Sequence, residues 1–280
     1  MITGIYTSTA GMLIQEREQE VIANNIANAN TVGFKRAIAV FQEKPVDEIV
    51  RLEKSDQNYP YYPHLKEEII GKTGKGVLVE KTVQDLQEGA IRQTGNRLDF
   101  AISGAGYFAV EGPQKKVFFT RAGNFTVNQN GELVTQQGYR VLGVAGGNYE
   151  EGMPVIDKKG EVIFPLEPIE LGNGLDGKVT VDTEGRIYVG NDYTGIDLKT
   201  FNIKEENLIP YGQNLFSSYG EVTYNGKSNV LQGYLEMSNV NSVKELVRMI
   251  QGMRTYEFNQ KLIRTQDETL GKLISRISMR

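Results

Sequence analysis

Apolar side chains recur with helical spacing at both ends of the chain, and the long stretch between the ends has the pattern of β structure. Near the N-terminus the apolar residues follow steps of three, four and seven, and Leu13, Ile22 and Ile26 belong to this series. The spacing predicts a helix that runs from about Thr3 to Asn28.

A longer amphipathic helix is predicted at the C-terminus, starting near Asn239 with Ser238 or Asn239 as its cap. Its main apolar row repeats every seven residues, a spacing typical of coiled coils, and consists of Met249, Tyr256, Ile263, Leu270 and Ile277. A second row, interrupted by the polar Gln260 and Asp267, consists of Leu246, Met253 and Ile274.

Neither helix has an obvious partner within the chain except the other helix. An apolar helical stripe must be buried against another element, so we predict that the two ends pair in a coiled-coil-like module and pack against neighbouring copies. In this module Leu13, Ile22 and Ile26 are expected to face Met249, Met253, Tyr256 and Ile263, and Leu270 continues the same row.

Between about Val77 and Leu235, short β-branched and aromatic runs are separated by glycines, which predicts many short strands. An Asp or Asn stands three residues before Gly131, Gly160 and Gly185, a pattern typical of turns whose glycine has a positive φ. Asn225-Gly226 is a further hairpin signal. The glycines assigned to structural turns are Gly33, Gly89, Gly123 and Gly131, and we expect a positive φ at Gly89 and Gly123 in particular.

The fold class predicted from these patterns is α+β, with paired terminal helices and a central β-rich domain built as a meander or a barrel-like set of hairpins. The predicted segments are an N-terminal helical polymerisation segment over 1–35, an extended or loop linker over 36–76, the β-rich domain over 77–237 and a C-terminal helical polymerisation segment over 238–280. A Pro- and Tyr-rich loop is expected from Ser55 to Pro63.

The composition of the chain argues against nucleic-acid binding, membrane spanning and cysteine chemistry. The net charge is −4 and no long Lys/Arg run is present, so we expect no nucleic-acid partner. No apolar run approaches the length of a membrane span, and the first residues lack the pattern of a cleaved signal peptide. The chain has no Cys, which excludes disulfides, thiol catalysis and Cys-ligated zinc.

No motif supports a catalytic, cofactor or metal site. Gly71-Lys72-Thr73 lacks the earlier glycine of a phosphate-binding loop, because position 66 is Lys66. The stretch from Thr126 to Gln137 resembles a calcium loop only partly, since neither of its end positions is a carboxylate, and a hairpin turn explains it better. His64 is the only His and has no second ligand in its loop. We therefore predict that the chain is not an enzyme and needs no cofactor.

The asparagines at positions 24, 25, 28 and 30 are chemically unusual near a helix end. Asn is a poor residue inside helices because its amide competes for backbone hydrogen bonds. One interpretation is a frayed helix end. The other is that the amides, with Asn24, Asn25 and Asn28 as candidate assembly residues, bond across a buried helix interface and fix its register.

This Asn-rich stretch, continued to Lys35, resembles the N-terminal signature of the bacterial flagellar hook and basal-body rod family. Further blocks resemble the family in the same order along the chain, and they cover residues 87–99, 101–108, 120–125, 138–143, 240–241 and 254–257. Each block alone is weak evidence for the family, but the occurrence of all the blocks in the family's order is specific.

The resemblance implies a structural subunit of the flagellar basal body, of proximal-rod or distal-rod type. Such proteins are exported through the flagellar type III apparatus without a cleaved signal. They assemble through their terminal helices into the axial tube that transmits torque from motor to hook. The implied partners are other copies, neighbouring rod and hook subunits and the export apparatus. The alternative is a self-contained β-domain surface or binding protein whose termini only clasp each other.

Overall fold

The computed structural model describes residues 2–43, 47–55, 64–73, 77–146, 153–156, 166–172, 179–212 and 214–278. It divides into two compact units. The helix–hairpin unit comprises Met1–Ala27, Ala37–Gln84 and Asn241–Arg280, and the β unit comprises Asn28–Arg36 and Asp85–Val240. The chain therefore enters each unit more than once.

The helix–hairpin unit combines two long helices with four strands. Its elements are α1 (Ile2–Ala27), β1 (Ala37–Glu43), β2 (Asp47–Ser55), β3 (His64–Thr73), β4 (Val77–Gln84) and α2 (Ser242–Ser278). Strand β1 pairs antiparallel with β4, and β2 pairs antiparallel with β3. The segment over 36–76, which was predicted to be an extended or loop linker, includes strands β1, β2 and β3, and Lys72 pairs with Glu48 in the β2–β3 ladder. Of the loop predicted from Ser55 to Pro63, Ser55 is the last residue of β2, and residues 56–63 lie outside the described part of the chain.

Helix α2 begins later than its sequence predicts. The Asn241 side-chain oxygen accepts the Lys244 amide at 3.0 Å, so Asn241 caps the helix. The prediction of Ser238 or Asn239 as the cap is wrong because both side chains are used elsewhere. The Asn239 side chain accepts the Arg36 amide and donates to the carbonyls of Asp85 and Gln87. The Ser238 hydroxyl accepts the Val240 amide.

The β unit consists of short strands and two short 3₁₀ turns, at Pro113–Lys115 and Glu205–Asn207. Its strands are β5 (Ile91–Gln93), β6 (Phe100–Ser103), β7 (Phe108–Glu111), β8 (Val117–Thr120), β9 (Thr126–Val127), β10 (Leu133–Val134), β11 (Arg140–Ala145), β12 (Pro154–Ile156), β13 (Leu166–Pro168), β14 (Val179–Val181), β15 (Arg186–Val189), β16 (Asp192–Asp197), β17 (Phe201–Ile203), β18 (Leu208–Gly212), β19 (Leu215–Ser218), β20 (Val222–Tyr224), β21 (Asn229–Gln232) and β22 (Tyr234–Glu236).

The largest sheet of the described residues is open. Its strand order is β14-β15-β16-β11-β7-β8-β19-β18, with β10, β13 and β9 attached beside this path. The strand-rich middle and the terminal helices confirm the α+β class, but no closed barrel is formed by the described strands. Smaller sheets, β12-β20-β17, β21-β6 and β22-β5, complete the unit.

The central strands of the β unit are buried on both faces. In β7, Phe108 and Val110 belong to one apolar cluster, whereas Ala109 belongs to a second. The same alternation places Phe118 and Phe119 of β8 in different clusters. Successive residues of a strand point to opposite faces, so these short continuous apolar runs fill two cores.

The four glycines assigned to turns serve two different purposes. Gly33 and Gly131 have φ values of +67° and +83°, which favour glycine. The positive φ expected at Gly89 and Gly123 is wrong, since neither belongs to the residues with positive φ. At these two positions the reason is space: a Cβ on Gly89 would lie 1.9 Å from the Met237 carbonyl oxygen, and one on Gly123 would lie 1.8 Å from that of Phe100.

The Asn225-Gly226 hairpin prediction is also wrong. Strand β20 pairs with β12 and β17, and β21 pairs with β6, so the two strands that flank Asn225 do not pair with each other. The Asn225 side chain instead donates to the Ala105 carbonyl and accepts the Lys227 amide at 3.1 Å. Of the three Asx-Gly turns, Gly131 and Gly185 have the expected positive φ, and Gly160 lies outside the described residues.

Gly123→Ala tests the close approach of two backbones. We expect a loss of about 3 kcal/mol in unfolding free energy, the upper end of typical overpacking, because the new Cβ must displace Phe100, whose amide donates to the Gly123 carbonyl. Gly138→Ala is the matched control: its φ is +85° but a Cβ there meets nothing within 4 Å, so only the smaller cost of about 1–2 kcal/mol for a left-handed residue applies. Chemical denaturation measures both, and equal losses would contradict the steric explanation.

Candidate assembly interface on the terminal helices

The two helices of the helix–hairpin unit pack antiparallel, with glycines at their closest approach. A Cβ on Gly4 would lie 2.9 Å from the Gln266 Nε2 atom, and one on Gly11 would lie 3.1 Å from the Asn259 Nδ2 atom. At the other end of the pair, a Cβ on Gly252 would lie 3.1 Å from the Gln15 Oε1 atom. Because glycine has no side chain, the amide side chains of Gln266, Asn259 and Gln15 on the opposite helix fill the contact between α1 and α2, which we call the seam.

The seam combines one apolar row of α2 with one row of small and polar residues. The apolar row, predicted from the sequence, is half-buried at Met249, Tyr256, Ile263 and Leu270. The row beside it, also with seven-residue spacing, consists of Glu245, Gly252, Asn259 and Gln266, and these residues are buried or half-buried. Sequence patterning missed this second row because its members are not apolar.

The row predicted to complete the seam faces outward instead. Leu246 and Met253 are 47% and 48% exposed, and Leu13 on α1 is 61% exposed. The prediction that Leu13 and Met253 face the partner helix within the chain is therefore wrong. Ile22 is buried and Ile26 is half-buried, as expected for residues on the inner side of α1.

Leu246 and Met253 belong to a continuous outward stripe of exposed apolar residues on the first turns of α2. The outward stripe consists of Val243, Leu246, Val247, Ile250 and Met253, all of them exposed. Their spacing of three, four and seven places them on one face of the helix. On α1, Tyr6 and Leu13 are exposed and also seven residues apart. The helix pair thus carries apolar surface on its outside as well as in its seam.

The two helices differ in charge. Helix α1 carries three acidic residues and one basic residue, whereas α2 carries seven basic and four acidic residues. In the described part of the chain, neither helix is long and apolar enough to cross a bilayer. Exposed apolar surface bordered by charged residues is typical of a surface for another protein.

The Asn-rich end of α1 has an identified role for one of its amides. The Asn25 side chain is buried, donates to the Ala37 carbonyl at 2.8 Å and accepts the Ala37 amide at 2.8 Å. The amide therefore bonds the start of β1 within the unit, and not the facing helix. Asn24 is exposed, and the Asn28 side chain accepts the Thr31 hydroxyl.

In the β unit, a buried carboxylate joins the segment that follows α1 to the strand that precedes α2. Glu236 of β22 accepts the Lys35 ammonium at 2.7 Å on one oxygen and the Arg121 guanidinium at 3.1 Å on the other. The first oxygen also accepts the Gly89 amide at 3.0 Å. We call Lys35, Arg121 and Glu236 the buried charge cluster; they are 2%, 3% and 1% exposed.

Two backbone carbonyls accept further hydrogen bonds from the cations of the cluster. The Lys35 ammonium donates to the Gln87 carbonyl at 2.7 Å, and the Arg121 guanidinium donates to the Gly104 carbonyl at 3.0 Å. Burial lowers the pKa of Lys35, and the Glu236 carboxylate opposes that shift. Burial likewise raises the pKa of Tyr107, whose ring centroid lies 5.3 Å from the Arg121 guanidinium.

Comparison with known proteins places family matches on both units. A family described as flagella basal body rod protein matches residues 5–35, the flagellar hook protein FlgE/F/G D1 domain matches residues 101–189, and the flagellar basal body rod FlgEFG protein C-terminal family matches residues 231–276. Among similar proteins, the flagellar basal-body rod protein FlgG of Buchnera aphidicola subsp. Schizaphis graminum is 33% identical over 98% of this chain and 99% of its own length. The chain belongs to the flagellar basal-body rod protein family.

Other members of the rod protein family support this assignment. FlgG of Bacillus subtilis (strain 168) is 30% identical, over 98% of this chain and 99% of its own length. FlgF of Rhizobium meliloti (strain 1021) is 28% identical, over 98% of this chain and 97% of its own length. The chain is thus a structural protein of the flagellar rod type, and the family resemblance inferred from the sequence is confirmed. Two of the three family matches include a terminal helix.

The buried charge cluster was not predicted from the sequence. Lys35 stands between Phe34 and Arg36 after a helix end, where a charged residue ordinarily faces solvent. Glu236 ends a short strand, and its ion-pair partners Lys35 and Arg121 lie 201 and 115 positions away in the sequence. Nothing local in the sequence distinguishes these residues from exposed ones.

Asn25→Ala tests the role of the buried amide at the end of α1. We expect the unfolding free energy of the helix–hairpin unit to fall by about 2 kcal/mol, because the amide and the carbonyl of the half-buried Ala37 both lose the Asn25 side chain as a partner. The Ala37 amide should exchange with solvent deuterium at least ~10-fold faster. Asn30→Ala is the control, since it makes the same replacement at an exposed position, and the same loss in both variants would show that Asn25 has no special role.

Proposed function

We propose that this chain is a structural subunit of the flagellar basal-body rod that joins neighbouring subunits through the outward faces of its two terminal helices. The observation that carries this proposal is the outward stripe of α2, where five large apolar side chains from Val243 to Met253 are exposed. Burying one such side chain fully is worth about 1.5–3 kcal/mol, so covering the stripe would supply a substantial driving force for assembly.

The geometry of the stripe fits a helix as its partner. Amphipathic helices dock through residues spaced at three, four and seven positions, which is the spacing of Val243, Leu246, Val247 and Ile250. The excess of acidic residues on α1 and of basic residues on α2 favours contact of α1 in one copy with α2 in the next. A contact between two different surfaces can repeat from copy to copy, and it gives an open helical array that grows along its axis when the rotation between copies does not close a ring.

The partners that follow from this proposal are other copies of the chain and neighbouring rod and hook subunits. Passage through the flagellar type III export apparatus without a cleaved signal, a coiled-coil form of the assembled helices and transmission of torque are further parts of the proposal. They rest on the family resemblance. No catalytic step or cofactor is part of this function.

A self-contained β-domain surface or binding protein is not favoured. Such a protein would need its helices only as a clasp, yet the family matches include α1 and α2 as well as the β unit. A clasp would also leave the outward stripe of α2 without a purpose.

Ile250→Asp tests the assembly proposal. A charge in the centre of the outward stripe should block the contact between copies, because an uncompensated carboxylate is costly to bury, while the exposed position leaves the fold intact. We expect the variant to remain folded by circular dichroism, to stay monomeric in sedimentation velocity under conditions where the unchanged protein assembles, and to fail to restore swimming in a strain that lacks the gene.

Gln251→Asp provides the matched control, since it adds the same charge at the adjacent exposed position outside the stripe. It should assemble and support swimming. If both variants assemble normally, the outward stripe is not the subunit interface; if both fail equally, charge on α2 matters and the stripe itself does not.

A further inference from the structure

Three remote parts of the chain meet at the buried charge cluster of the β unit. Lys35 comes from the segment that follows α1, Arg121 follows β8, and Glu236 ends β22. Each cation contributes a direct ion pair to the same carboxylate, at 2.7 and 3.1 Å. The cluster holds two positive charges and one negative charge, all nearly inaccessible to solvent.

The backbones around the cluster are pressed together at two glycines. A Cβ on Gly33 would lie 2.5 Å from the Ala122 amide nitrogen, and the Gly33 amide donates to the Glu236 carbonyl at 2.8 Å. On the other side, Gly89 lies against Met237 so closely that a Cβ would overlap its carbonyl oxygen. The segment after α1 is therefore held between the residues after β8 and those of β22.

This arrangement makes the folding of the β unit depend on its last strand. A lone buried charge costs several kcal/mol, and removal of one partner from a buried ion pair leaves that cost uncompensated. Without Glu236, the native positions of Lys35 and Arg121 would bury two cations without the carboxylate that both of them contact. The strands that precede β22 can pack their apolar side chains without it. The native, buried positions of the Lys35 and Arg121 side chains remain unfavourable until β22 packs and brings in the Glu236 carboxylate.

We propose that the buried charge cluster is a completion lock, which couples closure of the β unit to the simultaneous presence of the segment after α1 and the strand before α2. The same two segments are also joined by the Asn239 side chain, which accepts the Arg36 amide at 2.8 Å. This inference is independent of the proposed function, because it concerns the folding of one chain.

The lock has a consequence for any chain that emerges N-terminus first. Lys35 and Arg121 become available early, whereas Glu236 emerges only after most of the β unit. The β unit then remains incompletely closed until its C-terminal strand is free, so that the segments next to α1 and α2 become fixed in one late step.

Hydrogen exchange on the full-length protein with Glu236→Gln tests the lock. Gln keeps the size of the side chain but removes its charge. We expect amide exchange to accelerate by roughly 100-fold or more, the range for breaking a buried ion pair, in three segments together: 28–36, 119–123 and 234–239. Glu205→Gln, at an exposed position of a 3₁₀ turn in the same unit, is the control and should leave these rates unchanged.

A second variant separates charge from packing. The triple replacement Lys35→Met, Arg121→Met and Glu236→Leu removes all three charges and keeps apolar volume, so it should exchange at least ~10-fold more slowly than Glu236→Gln in the same segments. The lock is disproved if Glu236→Gln accelerates exchange only within 234–239. It is equally disproved if the triple variant is as unprotected as Glu236→Gln, whether or not either variant folds, because the loss would then come from packing and not from charge.

Discussion

A carboxylate that has no access to water must be neutralised where it lies, and this requirement organises the β unit. Glu236 meets it with Lys35 on one oxygen and Arg121 on the other. Since these residues are far apart in sequence, neutralisation brings together the segment after α1, the end of β8 and the last strand of the unit. Glycine is then required at positions 33 and 89, because the Cβ of any larger residue would push the neighbouring backbones apart.

In the helix–hairpin unit, helix α2 has two apolar faces, one that packs against α1 and one that is exposed to solvent. The seam with α1 contains the apolar row from Met249 to Leu270 together with the small and polar row from Glu245 to Gln266. Glycines allow this polar seam to close tightly. The largest exposed apolar residues at the start of α2 point away from it, so the intramolecular contact leaves free the surface that suits assembly.

Several features of the fold could be predicted from the sequence because they depend on near neighbours in the chain. The approximate extents of α1 and α2 follow from the spacing of their apolar residues, and β6, β7, β8, β11 and β15 lie within the region whose short β-branched and aromatic runs predict strands. Gly131 and Gly185 have the backbone conformation that their Asx-Gly turns require. The family is also readable from the order of its short sequence blocks.

What the sequence by itself determined is therefore the type and approximate extent of the elements and the kind of protein they make. Only the tertiary structure decided which surfaces meet. The seven-residue pattern of α2 is compatible with either neighbouring row facing inward, and the glycines of α1 select the polar one. The Asn25 amide could bond a helix or a strand, and the position of Ala37 selects the strand. Local periodicity fixes how a segment coils, but burial and charge neutralisation depend on partners more than 100 residues away.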